Sequence, residues 1–222
     1  MGYTIAKYYL LNKMDISIIF LIIALVLAVD IHEFAHALVA DKLGDPTPRL
    51  NGRLTLNPLA HLDPIGSLAL LLFRIGWGKP VPIDPFNLQN PRRDSAIISL
   101  AGPASNLILA TILALLIRLP GASQIPILFP LVITLIIICV GLGIFNLIPV
   151  PPLDGAKIFF GFFPQEQVAA WEEALNQYGL IILIFLLFPL FGNAPLINIL
   201  IMPIINFILN LLLPMNLGLS VV

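Results

Sequence analysis

Asp30-Ile31-His32-Glu33-Phe34-Ala35-His36 reads His-Glu-x-x-His within an otherwise apolar run. On a helix, histidines at i and i+4 project from one face. Both imidazoles then reach one zinc ion, with the glutamate beside them as general base. Such spacing also arises by chance in soluble helices, but the surroundings here argue against that. An ionisable residue near the middle of a bilayer-spanning helix costs roughly 2.5–3.5 kcal/mol on insertion scales. Asp30, His32, Glu33 and His36 fall within seven positions, a density that calls for a metal or a wet cavity as partner.

Composition places this run in a membrane protein. Of 222 residues, 59% are hydrophobic and 10% charged, against about 25% charged in ordinary soluble chains. A net charge of −1 gives no reason to expect nucleic acid. The single cysteine, Cys139, excludes an internal disulfide and reads as a small buried residue. The histidines are His32, His36 and His61, so a metal site must draw on these and on carboxylates.

Outward from the motif, residues 1–14 with Lys7, Lys13 and Tyr8-Tyr9 read as an interfacial lead-in. Ile16 to about Ala40 reads as the first span, not as a signal peptide, because the metal motif follows directly on the apolar run. His32 then lies roughly 24 Å along the helix, inside a hydrocarbon core about 30 Å thick. Residues 95–117 and 127–147 are the next spans. Gly102-Pro103-Ala104-Ser105-Asn106 supplies small residues for a close helix approach. Pro149, Pro151 and Pro152 break the third span just before Leu153-Asp154-Gly155. Residues 156–177 read as a polar connection with a short helix near 166–176, and Glu166, Glu172 and Glu173 as its solvated face. Residues 180–190 and 196–213 are apolar, two further spans or one kinked hairpin.

The connection 41–93 has content of its own. Asn51-Gly52 between short extended stretches predicts a hairpin over 49–56. Ser67 to Ile75, apolar but too short to span, suits a re-entrant segment. The expected fold is a single all-α, polytopic membrane domain over 1–222. It has about five to six transmembrane or re-entrant helices and a small β-hairpin or sheet element in the first cytoplasmic loop. Its core covers 15–160, with additional C-terminal helices over 177–213. Lys42, Arg49, Arg53, Arg74, Lys79, Arg92, Arg93 and Lys157 fall on one side, against Lys7, Lys13 and Arg118 on the other. That asymmetry places the 41–93 connection, and the site, toward the cytoplasm.

Catalytic zinc takes three protein ligands and keeps a position for water. His32 and His36 supply two. The third is Asp154, on irregular backbone at the same end of the spans, or His61. An Asp-Gly pair is also a common turn. Glu33 would take a proton from the attacking water and pass it to the leaving amine. Asn146, eight residues before Asp154, offers an amide donor for an oxyanion or an ordinary interhelical hydrogen bond.

With both stretches in view, the chain resembles the site-2 protease family of intramembrane zinc metalloproteases. His32-Glu33-Phe34-Ala35-His36 is similar to that family's first motif. Asn146-Leu147-Ile148-Pro149-Val150-Pro151-Pro152-Leu153-Asp154-Gly155 is similar to its second. Residues 57–66, 76–82 and 102–106 resemble the compact prokaryotic branch. The likeness covers roughly residues 15–160. It leaves no room for an inserted PDZ domain or a CBS pair, and Ala156 stands where a second glycine often occurs. The resemblance implies one Zn2+ per chain held by His32, His36 and Asp154, with Glu33 as base and Asn146 holding substrate or oxyanion. His61 and Asn106 become candidates for a hydrogen bond behind a ligand or a substrate contact. The implied setting is a multi-pass protein of a prokaryotic cell membrane, cutting transmembrane segments of other proteins. The rival reading is a zinc-binding membrane transporter or an inactive scaffold.

Overall fold

The apolar runs become helices wherever they are long enough to satisfy their own backbone within a bilayer. The structure, a computed structural model, describes residues 14–63, 65–66, 78–189 and 195–213, with side chains from Ile18 onward. Expectations for residues 1–13 and for the re-entrant segment 67–75 lie outside the described residues.

Helix α1 covers Met14–Lys42, α2 Thr47–Leu50 and α3 Pro58–His61. Helix α4 covers Pro91–Leu116, α5 Leu128–Asn146, α6 Asp154–Phe162 and α7 Gln165–Leu187. Two short helices follow, α8 Leu196–Leu200 and α9 Met202–Leu212. Among the described residues, four helices are long and apolar enough to cross a membrane: α1 from Ile18, α4, α5 and α7. Their outward faces carry Ile18, Ile19, Ile108, Ile112, Leu180 and Ile181, all exposed. Apolar side chains facing outward are what lipid contact requires.

Helix α4 is the hub. It packs against α1, α5 and α6, and α1 also packs against α5. Small side chains let the backbones approach: Ala24 and Ala28 on α1 meet Ala110 and Ala114 on α4 in one buried cluster. Leu135, Ile136, Cys139 and Val140 of α5 complete that cluster, so Cys139 is a buried residue of the core.

Two expectations change. No strand occurs among the described residues, and the one pairing is an isolated antiparallel bridge between Leu62 and Gly78. At 47–50, where the hairpin was expected to begin, there is a helical turn. Pro48 sits in its first turn and the Asp45 carboxylate accepts the Thr47 N–H at 3.0 Å. A proline in the first turn and an Asx contact to the residue two ahead favour a turn of helix over a strand. The second change lies at 165–187, where polar connection and apolar run are one continuous helix. Gly179 does not interrupt it. A side chain there would meet the Pro151 carbonyl at 2.7 Å, so the glycine marks a close approach to the loop before Asp154. Glu166 and Glu173 are exposed, as a solvated face requires, while Glu172 lies 3.6 Å from Arg92. Among the described residues, the apolar tail gives the two short helices α8 and α9, with α9 packed against α5.

Candidate metal centre

The i, i+4 spacing does on α1 what helical geometry demands. The His32 and His36 rings lie edge to face with centroids 4.6 Å apart. Asp154 reaches them from the first position of α6, 122 positions from His32 in sequence. Its Oδ2 lies 3.0 Å from His32 Nε2 and 3.2 Å from His36 Nε2. The ligand atoms of His32, His36 and Asp154 all fall within 4.8 Å of one another. Tetrahedral coordination at about 2.0–2.1 Å separates ligand atoms by roughly 3.3 Å. The spacing therefore suits one small cation.

Local sequence explains the placement of Asp154. Prolines 149, 151 and 152 cannot continue α5, so the chain turns and restarts at α6. A side chain at Gly155 would collide with the carbonyls of Leu147 and Ile148. The Asp-Gly pair thus lets the new helix begin against the end of the old one.

Helix α4 forms the back wall. His36 Nδ1 lies 2.7 Å from the Ile98 carbonyl, an acceptor only, so Nδ1 carries the proton and Nε2 keeps its lone pair for the cluster. Pro103 lies inside α4 and has no N–H to give the Ser99 carbonyl, next to Ile98 in sequence. Behind His32, the Asn106 amide lies 3.2 Å from Nδ1 through its Nδ2, while its buried Oδ1 has no partner. Turning the amide over places Oδ1 on a His32 Nδ1–H and frees Nε2 in the same way. Finally, a Cβ on Gly102 would lie on His36 Nε2 and 2.6 Å from His32 Nε2. The space where the two lone pairs converge is open because residue 102 has no side chain. Donor set, tautomers and space all fit a zinc ion.

Glu33 is half-buried, its Oε2 accepting the Val81 N–H at 3.1 Å. His61 is fully enclosed but lies outside the cluster. Its Nε2–H donates to the Thr55 carbonyl at 2.9 Å and lies 3.6 Å from Asp30 Oδ1. Asn146 ends α5, its amide donating to Leu142 of the same helix at 3.0 Å. In the sequence Gly102 reads only as a packing residue, and the Ile98 carbonyl and the Val81 N–H, being backbone groups, carry no residue-type signal.

The family described as "Peptidase family M50" matches residues 120–188, which include Asn146 to Gly155. Several relatives are named "Putative zinc metalloprotease". YwhC of Bacillus subtilis (strain 168) is 37% identical over 204 residues, covering 86% of this chain and 90% of the relative. Rip2 of Mycolicibacterium smegmatis is 35% identical over 71% of this chain and 62% of its own length. Rip2 of Mycobacterium tuberculosis (strain ATCC 25618 / H37Rv) is 33% identical over 70% of this chain and 61% of its own length. No solved structure matches the chain.

Proposed function

The chain belongs to peptidase family M50, the site-2 protease family, and from that premise we propose how its residues carry out intramembrane zinc proteolysis. His32, His36 and Asp154 would hold one zinc ion per chain. Zinc, when bound, supplies a Lewis acid for a carbonyl oxygen and makes water nucleophilic at neutral pH. Glu33 takes the proton of the attacking water and delivers it to the leaving amine nitrogen. Ile98 and Asn106 fix the orientation of the two imidazoles. Asn146, at the end of α5 beside the loop that leads to Asp154, turns its amide from Leu142 to the substrate carbonyl.

The substrate is a transmembrane segment of another membrane protein. Its peptide bonds are tied up in i to i−4 hydrogen bonds, so it unwinds locally and its freed backbone needs partners. The excess of lysine and arginine in 41–93 and at Lys157 supports a cytoplasmic position for this loop and for the site.

The observation that carries the reading is the convergence of three ligand atoms from two distant motifs, with open space in front of them. The buried polar groups of the spans gather at this one end, whereas a transporter would string them along several helices. The test compares wild type with Glu33→Gln, for zinc content and for cleavage of a panel of single-span proteins in detergent. Zinc should stay equal while turnover falls by about 10²–10⁴-fold. Equal turnover would remove Glu33 from the mechanism. Zinc bound without cleavage of any panel member would return the chain to the transporter or scaffold reading.

A further inference from the structure

We propose that the backbone N–H of Val81 is a positioning group of the reaction: it holds one carboxylate oxygen of Glu33 so that the other faces the attacking water. The inference rests on the metalloprotease reading above. Glu33 has three rotatable side-chain bonds, and no lysine or arginine among the described residues pairs with it. A general base must lie within hydrogen-bond reach of the proton it abstracts, so something must fix its carboxylate. The Val81 N–H is the hydrogen-bond partner seen there, at 3.1 Å from Oε2.

The segment that carries this N–H is itself pinned. Gly78 bridges to Leu62, and the Lys79 N–H donates to the His61 carbonyl at 2.8 Å. The buried Arg53 guanidinium donates to the Ala60 carbonyl, and it reaches the carbonyls of Lys79 and Pro80 at 3.4 Å. Below, His61 stands 3.6 Å from Asp30 on α1. Gly78 rests on the same helix: an added Cβ would lie 2.9 Å from Val29 Cγ1 and 3.8 Å from Glu33 Oε1. The 78–81 run is thus tied to the 53–62 loop, and it meets the turn of α1 that carries Glu33 through His61 beside Asp30 and Gly78 against Val29. Pro80 and Pro82 flank Val81 and hold it extended, and neither has an N–H to compete for the carboxylate. Arg53 and His61 act through this segment. They do not touch the metal cluster.

Because Val81 already sits between prolines, Val81→Pro removes the donor with little change of backbone. Val81→Ala keeps it. Both are measured against wild type and Glu33→Gln, using a fluorescently tagged single-span protein that wild type cleaves. A hydrogen bond to a charged group predicts a loss of about tenfold to a hundredfold in kcat for Val81→Pro. KM should stay within about twofold, zinc content should be unchanged, and Val81→Ala should stay close to wild type. Unchanged kcat in Val81→Pro overturns the proposal. So does a rise in KM at constant kcat, which would make the segment a substrate contact instead. If Val81→Pro does not fold, Gly78→Ala carries the test, since it pushes the segment off Val29. It should lower kcat, and Val29→Ala in the same chain should restore it in part. Wild-type kcat in Gly78→Ala would overturn the proposal by the same logic. A wild type that cleaves nothing, or as slowly as Glu33→Gln, would sink the protease reading itself.

Discussion

His32 and Glu33 are neighbours on α1, yet they meet different walls. The imidazole faces α4, where Asn106, the Ile98 carbonyl beside His36, and the bare Cα of Gly102 are set by helix–helix packing. The carboxylate faces irregular backbone, a single N–H from the 78–82 run that is tied down by Arg53 and His61. Packed helices preorganise the ligand nitrogens, and a pinned loop preorganises the base. The contrast predicts two separable kinds of damage. Changes on the α4 side should cost zinc, and changes on the loop side should cost turnover with zinc retained.

The largest effect expected on the α4 side comes from Gly102→Ala. The added Cβ would occupy the space between both Nε2 atoms. Zinc affinity, measured by competition with a chelator, should fall by roughly a hundredfold or more, beyond the usual loss of a group behind a ligand. Alanine favours a helix over glycine by about 1 kcal/mol, so loss of helix propensity would not account for the result. Wild-type affinity in this variant would break the contrast at its strongest point.

Asn106→Ala should act more gently. It leaves the His32 Nδ1 without its partner, and zinc affinity should drop by about 10–100-fold. Activity should return nearly to wild type at saturating zinc, the reverse of the pattern expected for Val81→Pro. Activity that stays low at saturating zinc would make Asn106 more than an orienting group.

The same division governs what could be read from sequence. The α4 side was largely legible. His32 and His36 announce themselves by helical spacing, and the prolines before Asp154 mark a helix end. The run of small residues at 102–106 reads as a close approach. What escaped was which atom each close approach serves, since Gly102 contributes an absence and Ile98 a carbonyl. The loop side was legible only as loop. Val81 acts through a backbone N–H that every non-proline residue possesses, so residue type carries no signal. Asn51-Gly52 points to a hairpin only when its turn chemistry is read without the residues upstream. Asp45 and Pro48 nucleate a helical turn, and the Arg53 N–H then closes on the Pro48 carbonyl at 2.8 Å.

Asp45 supplies the smallest test, on the loop side and far from the metal. It is fully enclosed just beyond the end of α1. Its Oδ1 accepts the Thr47 N–H and Asn87 Nδ2, and its Oδ2 accepts the Asp84 N–H at 2.8 Å. Residues 84 and 87 follow directly on the 78–82 run, so this carboxylate holds the downstream end of the segment that carries Val81. Burial raises its pKa, but the hydrogen bonds from Thr47, Asn87 and Asp84 outweigh burial and hold it below the ordinary 3.8. A depressed folded value means that the stabilisation is fully present above the unfolded value and is lost as pH falls through the folded one. Asp45→Asn should remove about 1–3 kcal/mol at neutral pH, seen as a Tm lower by several degrees. The gap between variant and wild type should close as pH drops below about 4. Turnover should fall only a few-fold with zinc unchanged, because Arg53 and His61 still pin the upstream end. Loss of zinc in Asp45→Asn would mean that the two walls of the site are not separable after all.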